Sequence, residues 1–226
     1  MHNKDRFYNG IAHEFDQLMD EYDLKRRLEI VFGEMLTAEE LHSASVLDAG
    51  CGTGWFSAEA AKRGANVVSL DIGPALLEMV GQKCDSLRTA GSILTMQFRD
   101  NTFDVVLCSE AIEHTTSPSR AVGELVRVLK PGGILVVTCP NRFWYWSCVV
   151  ARILHLRPFK GHENWPGWWQ LRGWLSGNGM KIEKMRGLHL FPFVIAATRP
   201  LLRVLDKFGY PFGAIYLNMA ARGRKG

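Results

Sequence analysis

Val46-Leu47-Asp48-Ala49-Gly50-Cys51-Gly52-Thr53-Gly54 decides how the chain is read. A short apolar run ends in an acid, and glycines at alternate positions then lead into Trp55-Phe56-Ser57-Ala58-Glu59-Ala60-Ala61-Lys62. The pattern predicts a buried strand, a tight turn and the start of a helix. Glycine tolerates positive φ and carries no Cβ, so a flat ligand can lie against the backbone of such a turn. On this reading, unspent N–H groups of the turn and the helix N-terminus favour a negatively charged ligand group.

The next segment narrows the ligand. Asn66-Val67-Val68-Ser69-Leu70 is a second strand that ends at Asp71. An acid at the tip of strand two is placed to take the two hydroxyls of a ribose. The glycine spacing, G-x-G-x-G, departs from the G-x-G-x-x-G of a dinucleotide turn, which argues against a nicotinamide dehydrogenase. Gly73-Pro74 restarts a helix.

Downstream the alternation continues. Helices are expected at 55–63, 74–83 and 118–129, and strands at 46–49, 67–71, 86–92 (weak), 103–109 and 134–138. Phe103 to Ser109 is apolar almost throughout, as a strand buried on both faces should be. Lys130-Pro131-Gly132-Gly133 reads as a helix stop. Gln170 to Asn178 and 198–208 are expected helices, with strands at Met180 to Arg186 and Ala214 to Ala220. The result is an α/β fold with a Rossmann-like, mostly parallel sheet of seven strands, helices on both faces and a small Trp-rich cap. Four regions follow: N-terminal helices over 1–45, a nucleoside-binding core over 46–140, a cap over 141–175, and the rest of the sheet with a basic tail over 176–226.

Composition sets limits. The 226 residues carry a formal charge of +4, and Arg222, Arg224 and Lys225 supply three cations near the C-terminus. Such a tail is expected to be solvated. No stripe of Lys and Arg interleaved with aromatics suggests a nucleic acid partner. Cys51, Cys84, Cys108, Cys139 and Cys148 are odd in number and never spaced C-x-x-C, which speaks against disulfides and structural zinc and for a cytoplasmic home. The polar start Met1 to Arg6 does not read as a signal peptide, and no apolar run reaches the ~20 residues of a spanning helix.

Val46 to Gly54, Asp71, Asp100-Asn101-Thr102-Phe103-Asp104-Val105-Val106, Ser109-Glu110-Ala111-Ile112-Glu113-His114 and Leu129-Lys130-Pro131-Gly132-Gly133 occur in a telling order. Together they resemble the class I S-adenosylmethionine (SAM) methyltransferases, nearest the branch with the ubiquinone-biosynthesis O-methyltransferases. The resemblance covers 45–140 and is loose beyond. It implies SAM as cofactor, contacted by Asp48, Ala49, Gly50, Cys51 and Gly52, by Asp71 and Ile72 at the ribose and adenine, and by Ser109 near the methionine end. Ser92 and Ile93 would flank the adenine. Ser92 stands where the family usually has an acid, so a weaker bond to the adenine amine is expected. Arg27 either pairs with the methionyl carboxylate or belongs to a solvated helix face beside Lys25 and Arg26.

The implied reaction moves a methyl group to an oxygen, with His114 first and Glu113 second as candidate bases. The alternatives are nitrogen or carbon acceptors, or a SAM-fold module that binds nucleoside without methyl transfer. The Asn/Asp-Pro-Pro-Tyr run of many N-methyltransferases is replaced by Ser109-Glu110-Ala111-Ile112.

Six of the seven tryptophans fall in 141–175. Phe143, Trp146, Val150, Ile153 and Leu154 recur at helical spacing among arginines. Three readings stand: core of the cap, lining of an apolar acceptor pocket, or a peripheral contact with a membrane surface. The last two favour a lipophilic small-molecule acceptor, such as a prenylated quinone precursor, a lipid or a polyketide-like compound. Trp144, Trp146, His162 and Trp165 are the candidate substrate residues. His162-Glu163 alone does not complete a metal site, and no metal is expected.

Overall fold

The computed structural model describes residues 16, 19–153, 163–193 and 195–226, without the side chains of 151 and 152. Its centre is a seven-stranded sheet in the order β3-β2-β1-β4-β5-β7-β6. The strands are β1 Ser45–Ala49, β2 Asn66–Asp71, β3 Leu87–Ala90, β4 Phe103–Ser109, β5 Leu129–Pro140, β6 Met180–Leu188 and β7 Asn218–Lys225. β1 to β5 run parallel, and β7 enters antiparallel between β5 and β6. The helices used below are α1 Glu21–Ile30, α2 Ala38–Leu41, α3 Trp55–Ala61, α4 Pro74–Lys83, α5 Pro118–Val128, α6 Tyr145–Ile153, α7 Trp168–Gly177 and α8 Arg199–Leu205. α1 runs on into a π-helical turn over Val31–Met35.

Strand alternation divides the core between two faces. Val105 and Leu107 pack with Val46 and Val67 against α1 and α3, through Leu24, Ile30, Phe32, Phe56 and Ala60. Val106 and Cys108 pack with Leu47 and Ala49 against α5 and α7, through Ala121, Leu125, Leu171 and Leu175. Both faces of β4 are therefore covered, which is why its sequence shows no polar alternation.

Two boundaries differ from expectation. The Lys130 to Gly133 segment does not stop the chain between elements, because β5 begins at Leu129. Leu129 pairs with Phe103 and Ile134 with Val105, so Pro131-Gly132-Gly133 form a bulge, with Gly132 at φ +75°. The last strand is Asn218–Lys225, not 214–220, so the expected solvated tail is an inner strand. Arg222 is 6% exposed and donates to both Glu40 carboxylate oxygens at 2.7 Å and to Glu183 at 2.6 Å. Lys225 Nζ donates to the Val126 and Leu129 carbonyls at 2.8 and 2.7 Å and caps the end of α5. Cationic side chains paired at a sheet end look, in sequence, like a disordered tail.

Candidate functional site

The turn after β1 is built as the glycines suggest, but its hydrogen bonds run inward. Gly50, Gly52 and Gly54 all have positive φ. Gly50 has no substitute, since a Cβ there would lie 2.4 Å from that of Ala111. Gly50 and Cys51 N–H donate to the Leu70 carbonyl, Gly52 N–H to Asp71 Oδ2 at 2.9 Å, and Gly54 N–H to the Cys51 carbonyl. These four donors are spent within the protein, which leaves the N–H groups of Thr53 and of the first turn of α3 as the donors that face a ligand. α3 has only seven residues, and its N-cap, Gly54, has no side chain to add.

Asp71 braces the turn from β2. Its Oδ1 accepts from Gly73 N–H at 2.9 Å and its Oδ2 from Gly52, so each oxygen retains a lone pair for a ribose hydroxyl. Burial pushes its carboxyl up, and the Gly73 and Gly52 amides pull the other way. Asp48 faces inward: Ser57 Oγ donates to it at 2.7 Å and also meets Ser69 Oγ at 2.8 Å. Burial raises Asp48 to about 6. Its side chain supports the turn from beneath, through Ser57 and Ser69. Cys51 is buried against Leu77 and Val80.

Ser92 and Ile93 follow β3 after Gly91, whose N–H donates to the Asp71 carbonyl at 2.9 Å, and Asp71 pairs with Ala90 across the strands. The structure thus brings Ser92 beside the Asp71-Ile72 tip. Ser92 Oγ accepts from Leu94 N–H at 3.2 Å, and Ile93 is buried. A residue that sequence reasoning missed lies over the glycine turn: Asp16 accepts from Thr53 Oγ1, from Trp55 Nε1 at 3.0 Å and from Lys83 Nζ at 2.8 Å.

At the end of β4, Arg27 is 7% exposed, which removes the solvated-face reading. Its Nε donates to Asp23 Oδ2 at 2.9 Å and its Nη1 to Ser109 Oγ at 3.0 Å. Its guanidinium carbon lies 5.9 Å from the Phe56 ring centroid, beside the glycine turn. Ser109 Oγ also meets Thr138 Oγ1 at 2.8 Å, and Thr138 in turn donates to Glu110 Oε1 at 3.2 Å. Asn218 Nδ2 donates to Glu110 Oε2 at 3.1 Å. Glu110, unassigned from sequence, holds φ +52°, a left-handed conformation no pattern announces. Burial raises it to about 7 against the opposing pull of Arg27.

Glu113 is buried, and its Oε2 has no hydrogen-bond partner among the described residues. Burial, with Glu110 nearby, pushes its carboxyl well up, so the protonated form is favoured. His114 keeps 27% of its side chain exposed, with Nε2 4.0 Å from Glu113 Oε1. No group of three or more His, Cys, Asp or Glu able to hold a metal ion occurs among the described residues.

The cap is tied to this edge at Asn141, another residue not singled out beforehand. It is buried, and its Nδ2 donates to the Ala214 and Tyr216 carbonyls at 2.8 and 3.0 Å. Trp165 is core, packed with Cys148 and Leu217 and edge-on to Tyr145. Trp144 is half-buried, with Nε1 donating to the Ile215 carbonyl at 2.8 Å and Trp146 stacked on it at 5.4 Å. Trp146, Phe143, Val149, Val150 and Ile153 are exposed. Asn164 N–H donates to the Glu113 carbonyl at 2.7 Å, joining cap to site loop. His162 lies outside the described residues.

The donor set fits a nucleoside that carries an amino acid. Asp71 offers lone pairs for ribose hydroxyls, and Arg27 Nη2, unbonded among the described residues, offers a cation for a carboxylate. The comparisons agree. Residues 47–137 match the family described as "Methyltransferase domain". The chain is 32% identical over 163 residues to a ubiquinone biosynthesis O-methyltransferase of Hahella chejuensis, covering 66% of this chain and 68% of that one. It is 32% identical over 171 residues to the protein so named from Proteus mirabilis, covering 69% and 68%. Among solved structures, an S-adenosylmethionine-dependent methyltransferase of Mesorhizobium loti superposes with a TM-score of 0.68 at 18% identity, covering 89% of this chain and all of that one. A glycine turn braced by Asp71, the order of the motifs and these relatives converge: the chain belongs to the class I SAM-dependent methyltransferases, enzymes whose methyl donor is S-adenosylmethionine.

Proposed function

We propose that the enzyme methylates an oxygen of a small lipophilic molecule. The observation that carries this reading is the exposed apolar face of α6 and the turn before it: Phe143, Trp146, Val149, Val150 and Ile153 stand open on a segment that Asn141 anchors to the ligand edge of the sheet. Exposed aromatic and aliphatic side chains in such a row suit an apolar partner, either an acceptor tail or a lipid surface. No described helix is long and apolar enough to cross a membrane, so a membrane contact would be peripheral. The five cysteines are free thiols, in keeping with a reducing cytoplasm. The relatives from Hahella chejuensis and Proteus mirabilis are O-methyltransferases by name, which makes oxygen the first choice of acceptor atom.

Bound SAM supplies an electrophilic sulfonium methyl; the chain must hold the donor, hold the acceptor in line and manage one proton. Asp71 accepts from the ribose hydroxyls, Ser92 and Ile93 border the adenine, and Arg27 takes the carboxylate. His114 removes the acceptor proton, because it is partly exposed after β4, whereas Glu113 is buried and favoured in its protonated form.

The test is methyl transfer from labelled SAM to matched phenols with and without a long apolar chain. Higher kcat/KM for the chain-bearing phenol, reduced by W146A through KM, is expected. Equal rates, or preference for amines, would overturn the reading.

A further inference from the structure

His189 follows β6 at the same sheet edge and is completely buried, with φ +55°. Its backbone is locked on both sides: its N–H donates to Asp206 Oδ1 at 2.8 Å, and its carbonyl accepts from Leu217 N–H at 2.8 Å. The ring packs between Tyr22, 5.3 Å away, and Phe193, 4.7 Å away. Its one hydrogen bond among the described residues joins Nε2 to Asp23 Oδ1 at 3.1 Å. Burial works to raise the Asp23 carboxyl, but the Arg27 guanidinium and the His189 ring hold it below the usual carboxylate range. Asp23 is then acceptor only, so His189 Nε2 carries the hydrogen.

The contacts form one chain. His189 donates to Asp23 Oδ1, Arg27 Nε donates to Asp23 Oδ2, and Arg27 Nη1 donates to Ser109 Oγ. A buried carboxylate gripped at both oxygens cannot turn, and together with Ser109 at Nη1 it fixes the plane of the guanidinium. Nη2 is left over beside the glycine turn, without a partner among the described residues. We infer that His189 and Asp23 are positioning residues, which lock Arg27 so that Nη2 meets the carboxylate of the methyl donor. The inference rests on the assignment of Arg27 to that carboxylate.

Two nucleosides separate positioning from mere packing: S-adenosylhomocysteine, which bears the carboxylate, and methylthioadenosine, which lacks the amino-acid end. Calorimetric titration of both is made with wild type, H189A, D23N, H189Q and R27M. H189A and D23N should lose about tenfold in affinity for S-adenosylhomocysteine, the scale of one weakened charge-assisted hydrogen bond, and stay within about twofold for methylthioadenosine. H189Q, whose amide can donate to Asp23, should recover most of the loss. Because His189 is fully buried, H189A could misfold; retained methylthioadenosine binding reports folding directly, and D23N gives an independent variant. Equal losses for both nucleosides, or no loss, would overturn the inference. If R27M also leaves the preference for S-adenosylhomocysteine intact, the Arg27 assignment itself fails; if only R27M abolishes it, the assignment stands and the role of His189 and Asp23 falls.

Discussion

Replacing Arg222 with methionine tests whether the basic C-terminal run is structural. Arg222 binds Glu40 through two hydrogen bonds of 2.7 Å, Glu183 through one of 2.6 Å, and the Met35 carbonyl. Glu40 is held at about 2 rather than 4.5, first by hydrogen bonding to the Arg222 guanidinium, with the Thr37 amide and the Arg224 charge adding smaller shares that R222M leaves in place. That difference corresponds at face value to about 3.4 kcal/mol. Glu40 keeps 23% of its side chain in water, and screening reduces the figure to about 1.5–2 kcal/mol. The folded-state pKa lies below the unfolded one, so the contribution is fully present above pH ~5 and fades as pH falls towards 2. R222M should therefore lose about 1.5–2 kcal/mol at pH 7 in urea titrations, and the penalty should shrink between pH 5 and pH 3. Methionine retains the apolar stem, so lost packing contributes little. A loss below ~0.5 kcal/mol at pH 7, or one independent of pH, would refute the argument and return 222–225 to a solvated tail.

Three further outcomes follow from the site. G50A places a methyl group 2.4 Å from Ala111 Cβ at φ +75°, so S-adenosylhomocysteine binding should fall by at least about a hundredfold while β-sheet circular dichroism persists; calorimetry decides. S92D should tighten S-adenosylhomocysteine about three- to tenfold by adding charge to the bond with the adenine amine; unchanged affinity would remove Ser92 from the adenine site. Glu110 is raised to about 7 chiefly by burial, so its ionisation costs stability as pH rises from about 4.5 through 7. E110Q should accordingly gain about 1–2 kcal/mol over wild type at pH 8 and nothing at pH 4, measured by thermal unfolding at both values.

The fold was legible where burial and periodicity agree. The expected bounds of β4, Phe103 to Ser109, and of α4, Pro74 to Lys83, are the observed ones, because a strand apolar on both faces and a Pro-started helix have little else to be. β5 was placed too short, since Pro131-Gly132-Gly133 serve as a bulge and carry the same signal as a helix stop. β7 was displaced because Arg222, Arg224 and Lys225 are read as solvent-seeking, and their partners Glu40, Glu183 and the end of α5 lie far off in sequence. Long-range pairing of charges leaves no local trace.

The site divides along the same line. The turn at Gly50 and its brace at Asp71 are legible, because turn geometry is a local property. Asp23, His189, Glu110, Thr138 and Asn218 are not, because each gains its role from a partner on another element. The inward hydrogen bonds of the glycine turn complete the account of ligand choice. The turn spends four of its N–H groups on its own chain. It can accommodate a ligand whose negative charge sits elsewhere, at the end of an amino acid, within reach of a cation supplied from another helix. Arg27 on α1 is the cation proposed for that end, bonded to Ser109 and 5.9 Å from the Phe56 ring centroid. On that proposal a sulfonium nucleoside is recognised at two separate places, the strand tip at Asp71 and the cation on α1, and glycine spacing marks only the first of them.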